Sequence, residues 1–116
     1  MRRALARIPW TARCEPNEWL GFVPRYRSGR WGKLRVVEKG AKTHVHVDPA
    51  ELFARILTLR PEAFVLVHNH PSGALVPSQA DLLLTDQVRA VARRLGVGFP
   101  GHWIVAASGE HWIASC

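Results

Sequence analysis

The apolar run Ala63-Phe64-Val65-Leu66-Val67 stops at His68-Asn69-His70, and a Pro71-Ser72-Gly73 turn follows at once. This run constrains the fold most. It is continuous rather than alternating, so it reads as a strand over 63–69 buried on both faces. Other elements must then cover it on either side. The polar end of such a strand is where a buried sheet meets the rim of a cleft.

The elements around it are marked by local signals. Residues 18–23 (EWLGFV), 33–39 (KLRVVEK) and 42–48 (KTHVHVD) have the aromatic and β-branched content of strands, the first two joined across a Ser28-Gly29 turn. A helix starts at Asp48, a capping residue, with Pro49 in its first turn and Glu51 completing a capping box. Leu52, Phe53, Ile56 and Leu57 form its apolar face, and Pro61 ends it. A second helix runs from about Gln79 to Leu95, with Leu82, Leu83, Val88, Val91, Ala92 and Leu95 facing the core, and Gly96 stops it. The segments HWIVAAS and EHWIAS close the chain as a hairpin over Ser108-Gly109. The order is β-β-β-α-β-α-β-β: an α/β protein with a mixed β-sheet flanked by helices. At 116 residues and 47% hydrophobic composition, one compact domain is expected, over 18–116. Residues 1–17 read as a basic leader in which Pro9 and Pro16 break any regular element.

In a strand, residues i and i+2 point to one side, so His68 and His70 can present two imidazoles to one ion. The turn reverses the chain, and Asp81 arrives at the start of the next helix. Two histidines and a carboxylate, with a fourth position left for water, make a catalytic zinc set. Ser78-x-x-Asp81 before Leu82-Leu83-Leu84 also matches a capping box. The two roles are compatible, because the helix dipole keeps a carboxylate ionised at a helix N-terminus. His44 and His46 repeat the His-x-His spacing, but no suitably placed carboxylate follows, since Asp48 serves as a helix cap. His102 and His111 precede tryptophans and read as packed or surface residues.

With Pro77-Ser78 and Asp81, the sequence His68-Asn69-His70-Pro71-Ser72-Gly73 resembles the RadC branch of the JAB/MPN metalloprotease (JAMM) superfamily. Its pattern is an upstream Glu, then His-x-His, seven residues, Ser, two residues and Asp. The resemblance extends loosely from about Glu18 to Ser115. It implies a cytidine-deaminase-like architecture and zinc held by His68, His70 and Asp81. It also implies an upstream glutamate as general base. Glu18, opening the first strand, is preferred, with Glu38 as the alternative. Ser78 would donate to the oxyanion of a tetrahedral intermediate. The implied function is a zinc-dependent metallopeptidase or isopeptidase cleaving a peptide or isopeptide-linked protein substrate. His102 falls where RadC proteins often carry an Asp-His pair; here Gly101 replaces the Asp. The alternative reading is a non-catalytic or nucleic-acid-associated protein linked to DNA repair.

Rival chemistries fit less well. A nucleoside-type deaminase pairs His-x-Glu with Pro-Cys-x-x-Cys, and this chain has neither. The string His-Asn-His invites a nuclease assignment, but the helical metal ligands of such an enzyme are missing. Sixteen Lys and Arg against nine Asp and Glu give a charge of +7, which attracts nucleic acid. Arg2, Arg3, Arg7 and Arg13 place part of that charge in the leader. Cys14 and Cys116 lie near the two ends without a Cys-x-x-Cys spacing, so a cysteine zinc site is excluded. No signal-peptide core and no run near the roughly 18 apolar residues of a membrane span occur, so a soluble, cytoplasmic protein is expected.

Overall fold

A computed structural model describes residues 2–40 and 47–114. Its elements, in chain order, are α1 (Arg2–Leu5), α2 (Trp10–Arg13), β1 (Trp19–Arg25), β2 (Arg35–Lys39), α3 (Pro49–Thr58), β3 (Ala63–Asn69), α4 (Gln79–Leu95), β4 (Gly101–Ala106) and β5 (Gly109–Ala114). The strands form one mixed sheet in the order β2-β1-β3-β4-β5. β3 lies at its centre, and every one of its residues is buried. β1 runs antiparallel to it with Leu20 opposite His68, and β4 runs parallel to it with Ile104 opposite His68. The parallel pair needs a crossover, which α4 supplies.

Alternation along β3 divides the core in two. Phe64 and Leu66 pack with Leu52, Phe53 and Ile56 of α3 and Val88 and Ala92 of α4. Val65 and Val67 pack on the other side with Trp19, Val23, Trp31, Trp103 and Val105. That second cluster also holds Ala4, Leu5 and Ile8. The expectation that no regular element forms before Glu18 is therefore corrected. Ala4, Leu5 and Ile8 share one side of a helical turn, and the sheet's second face requires a cover. Pro9, rather than breaking a helix, stands at the N-cap of α2. Two of the arginines in this segment are held in place: Arg2 and Arg13 each lie 2.9 Å from Glu110 of β5. Arg13 foremost, and Arg2 after it, hold the Glu110 carboxyl below its usual range.

Both helix caps follow the local signals. The Asp48 side chain accepts from Ala50 N–H at 3.0 Å, with Pro49 in the first turn, while Glu51 faces Arg55 instead of closing a box. Gly96 ends α4 in the left-handed conformation at φ 71°. β1 and β2 are joined through a turn over Tyr26–Arg30, and β4 and β5 pair with Ala106 opposite Gly109. The strand expected over 42–48, with His44 and His46, falls largely on residues 41–46, outside the described residues. Among the described residues no helix is long and apolar enough to cross a membrane.

Candidate metal centre

The site is built where β1, β3 and α4 meet. β3 delivers His68 and His70 from its C-terminal end, on the face that α3 and α4 cover. The start of β1 brings Glu18 beside His68, because Leu20 is registered against His68 in the antiparallel pair. The first turn of α4 brings Asp81. The distances are short. Glu18 Oε2 lies 3.5 Å from His68 Nε2, Asp81 Oδ1 lies 3.1 Å from His68 Nδ1, and Asp81 Oδ2 lies 3.1 Å from His70 Nε2. Glu18, His68 and Asp81 are buried and His70 is half-buried. Glu38 sits on β2 opposite Leu20, and among the described residues no ion pair joins it to these histidines.

Both expected roles of the Ser78-x-x-Asp81 pattern meet in one carboxylate. Ser78 Oγ accepts from Asp81 N–H at 3.0 Å and Asp81 Oδ2 accepts from Ser78 N–H at 2.8 Å, so the capping box is complete. The same carboxylate touches both imidazoles. Burial works to raise the Asp81 pKa, but bonding to His68, His70 and Ser78 N–H outweighs it and holds the carboxyl far below its usual range. The His70 pKa is raised, first by its bond to Asp81 and against the opposing effect of burial.

The donor set fits a cation. His70 Nδ1 lies 2.7 Å from Ala74 O, which only accepts, so Nδ1 carries a proton. In neutral His70, Nε2 then presents a bare lone pair to a carboxylate oxygen 3.1 Å away. A proton or a metal ion between them resolves that opposition. A second ring nitrogen tied to a backbone carbonyl is also the usual way a ligating histidine is oriented. Both ring nitrogens of His68 are buried and face carboxylate oxygens, Asp81 at 3.1 Å and Glu18 at 3.5 Å, without a well-aligned hydrogen bond to either, an arrangement that suits an ion between them. Glu18, His68 and His70 each offer a ligand atom, all within 4.8 Å of one another, and this group could hold a metal ion.

Two residues support the site from behind: Asn69, whose role no motif marks, and His102, which reads from the sequence as packed or at the surface and which the RadC resemblance singles out. Asn69, the middle residue of the His-x-His, points to the opposite face of β3 and is fully buried. Its Oδ1 accepts from Trp19 N–H at 2.7 Å, and its Nδ2 donates to Glu15 O at 3.2 Å and Asn17 O at 3.1 Å. It therefore fixes the chain on both sides of Glu18. The available signal was an amide ending an apolar strand, since buried polar groups need partners. Asn69→Ala should strand the Trp19 N–H and destabilise the protein by about 1–3 kcal/mol, read from its denaturant midpoint. Metal content should be kept, because Asn69 is turned away from the histidines.

His102 is the other. Thr85 Oγ1 donates to Asp81 O at 2.8 Å, so it can only accept from His102 Nδ1, 2.9 Å away. His102 thereby props the helical turn that carries Asp81, and its ring lies 6.0 Å from that of His68. Its Nε2 is buried and unpartnered. Burial, with the charge of His68 adding to it, lowers the His102 pKa from 6.5 to about 3. Below pH 6.5 the unfolded chain gains a proton that the folded chain does not take until about pH 3. Metal-free protein should thus lose stability over that window, by up to about 1.4 kcal/mol per pH unit. The raised His70 pKa acts elsewhere, its stabilisation being complete below 6.5 and lost as pH rises. Asp81 adds its own loss only below its ordinary value of 3.8. Denaturant midpoints from pH 6 to 4 should flatten in His102→Asn; an unchanged slope would exclude His102 as its source. Beside it, a Cβ on Gly101 would collide with Ile113 O and the Trp112 ring, so β5 leaves no room for an aspartate at 101 without movement.

A family profile described as the RadC-like JAB domain matches residues 12–115. A UPF0758 protein of Rhodobacter capsulatus is 44% identical over 72 residues, which cover 62% of this chain and 34% of the relative. A UPF0758 protein of Ruegeria pomeroyi is 42% identical over 72 residues, covering 62% and 32%. One of Microcystis aeruginosa is 38% identical over the same length, covering 62% and 30%. The matched segment thus spans about a third of the length of each of these curated relatives.

Proposed function

The chain belongs to the RadC-like JAB domain family, and on that premise we propose that it is a zinc-dependent hydrolase of amide bonds, a metallopeptidase or isopeptidase. The observation that carries this reading is the convergence of His68 and His70 with two carboxylates at the end of β3, where both ring nitrogens of His68 and Nε2 of His70 face carboxylate oxygens. His68, His70 and Asp81 would hold the ion. Asp81 is assigned as ligand because it touches both imidazoles at 3.1 Å, whereas Glu18 reaches one, at 3.5 Å.

When bound, zinc supplies Lewis acidity, which makes water a nucleophile near neutral pH. The chain supplies the rest. Glu18 is buried 3.5 Å from His68 and would serve as the base that removes the proton of the attacking water and returns it to the leaving amine. Ser78 Oγ already accepts from Asp81 N–H, so its own hydrogen is free to donate to an oxyanion. Asn69 and His102 hold Glu18 and Asp81 in place from behind.

The test is metal analysis of the purified protein together with incubation against short peptide and isopeptide-linked libraries. About one zinc per chain and cleavage of an amide bond are expected. A zinc-loaded protein that cuts no member would favour the non-catalytic alternative. A protein that binds no zinc would remove the reading altogether.

A further inference from the structure

Between Trp19 and Val37 the chain carries Arg25, Arg27, Arg30, Lys33 and Arg35 and no carboxylate. All five lie on the hairpin that joins β1 to β2. Its tip is tightly fixed: Tyr26 N–H donates to Arg30 O at 2.9 Å, Gly29 N–H to Tyr26 O at 2.8 Å and Gly32 N–H to Pro24 O at 2.7 Å. Trp31 is turned inward among Ala4, Leu5 and Ile8, and Arg7 Nε donates to Gly32 O at 3.1 Å. Arg25 is paired with Glu62 at 2.7 Å. Arg27, Arg30, Lys33 and Arg35 are exposed, and among the described residues no ion pair engages them. The Arg30 guanidinium stands 5.5 Å over the half-buried Tyr26 ring.

The tip of this hairpin, with Arg27, Arg30 and Lys33, is separate from the metal centre. Leu20, near the start of β1, pairs with His68, whereas Arg25, at its end, pairs with Ala63 at the far end of β3. At the rise of an extended strand the two ends lie about 17 Å apart.

We propose that the hairpin is a nucleic-acid surface that holds the phosphates of a single strand, with Tyr26 and the Arg30 guanidinium offering planar faces to a base. Exposed cations that make no ion pair among the described residues, carried on a fixed hairpin beside an aromatic ring, are the elements of single-strand binding. β1 is paired along its length with β3 as well as β2, so the strands do not project as a free helix or two-stranded ribbon of the kind that enters a duplex groove, and a protein partner would want an exposed aromatic anchor on the hairpin, whereas Trp31 is buried. The leader that the sequence offered as the basic arm is less suited, since Arg2 and Arg13 face Glu110.

The experiment is fluorescence anisotropy of the intact protein with short labelled single strands and duplexes, titrated from about 50 to about 200 mM salt. Four phosphate contacts predict a slope of about −3 in log affinity against log salt for a single strand. Replacing Arg27, Arg30 and Lys33 together by Gln should weaken binding at least about tenfold and bring the slope to about −1. A control with Arg3, Lys39 and Arg55 replaced by Gln carries the same net charge and should keep affinity and slope. Tyr26→Leu should weaken single-strand binding about fivefold or more and leave the slope unchanged. Absence of binding at low salt, equal losses in the control, tighter binding of duplex, or equal binding of inorganic polyphosphate with Tyr26→Leu silent would each overturn the proposal.

Discussion

Zinc content is expected to fall from about one ion per chain to almost none in His68→Ala and in His70→Ala, with hydrolysis abolished in both. Each change removes one ligand of three, and an ion left with two does not stay in competition with water. Neither histidine belongs to the two apolar clusters that carry the fold, and His70 lies at the rim. Zinc should raise the unfolding temperature of the parent protein in proportion to its binding, and leave that of the variants unmoved. Asp81→Ala separates the two duties of that carboxylate. It should lose zinc as the histidine variants do, and in addition lose about 1 kcal/mol from the broken capping box. Stoichiometric zinc persisting in the His68→Ala, His70→Ala double variant would sink the assignment.

The same residues show why parts of this site were legible in the sequence. β3, the caps at Asp48 and Ser78 and the stop at Gly96 are local signals, decided within a few residues, and each appears where its chemistry puts it. His68, His70 and Asp81 lie near one another in the chain, so one strand, one turn and one helix start suffice to bring them together. Contacts between distant segments were not legible. Ala4, Leu5 and Ile8 look like a loose arm until a sheet with an uncovered second face exists to receive them. Arg13 meets Glu110 across 97 residues, so the leader's charge could not be known to be partly neutralised. The role of Asn69 was not legible because its partners, Glu15, Asn17 and Trp19, lie 54, 52 and 50 residues away in sequence. The position of Glu18 is of this long-range kind too, set by the register of β1 on β3.

That register makes the glutamate the sharpest remaining test. Glu18→Gln should keep the fold, because the amide fills the same buried space beside His68, and should keep zinc if Asp81 completes the ligand set. Hydrolysis should nonetheless fall by roughly 10²–10⁴, the usual worth of a general acid–base group. Glu38→Gln should change little, since Glu38 stands on β2 opposite Leu20, away from the histidines. The opposite arrangement has its own signature: Glu18, His68 and His70 also bring ligand atoms within 4.8 Å of one another. Were Glu18 the third ligand, Glu18→Gln would lose zinc and Asp81→Asn would retain it, exchanging the roles while leaving the metal where it is. Activity untouched by Glu18→Gln, with zinc bound, would contradict both arrangements, because a buried carboxylate beside His68 would then serve neither the ion nor the proton.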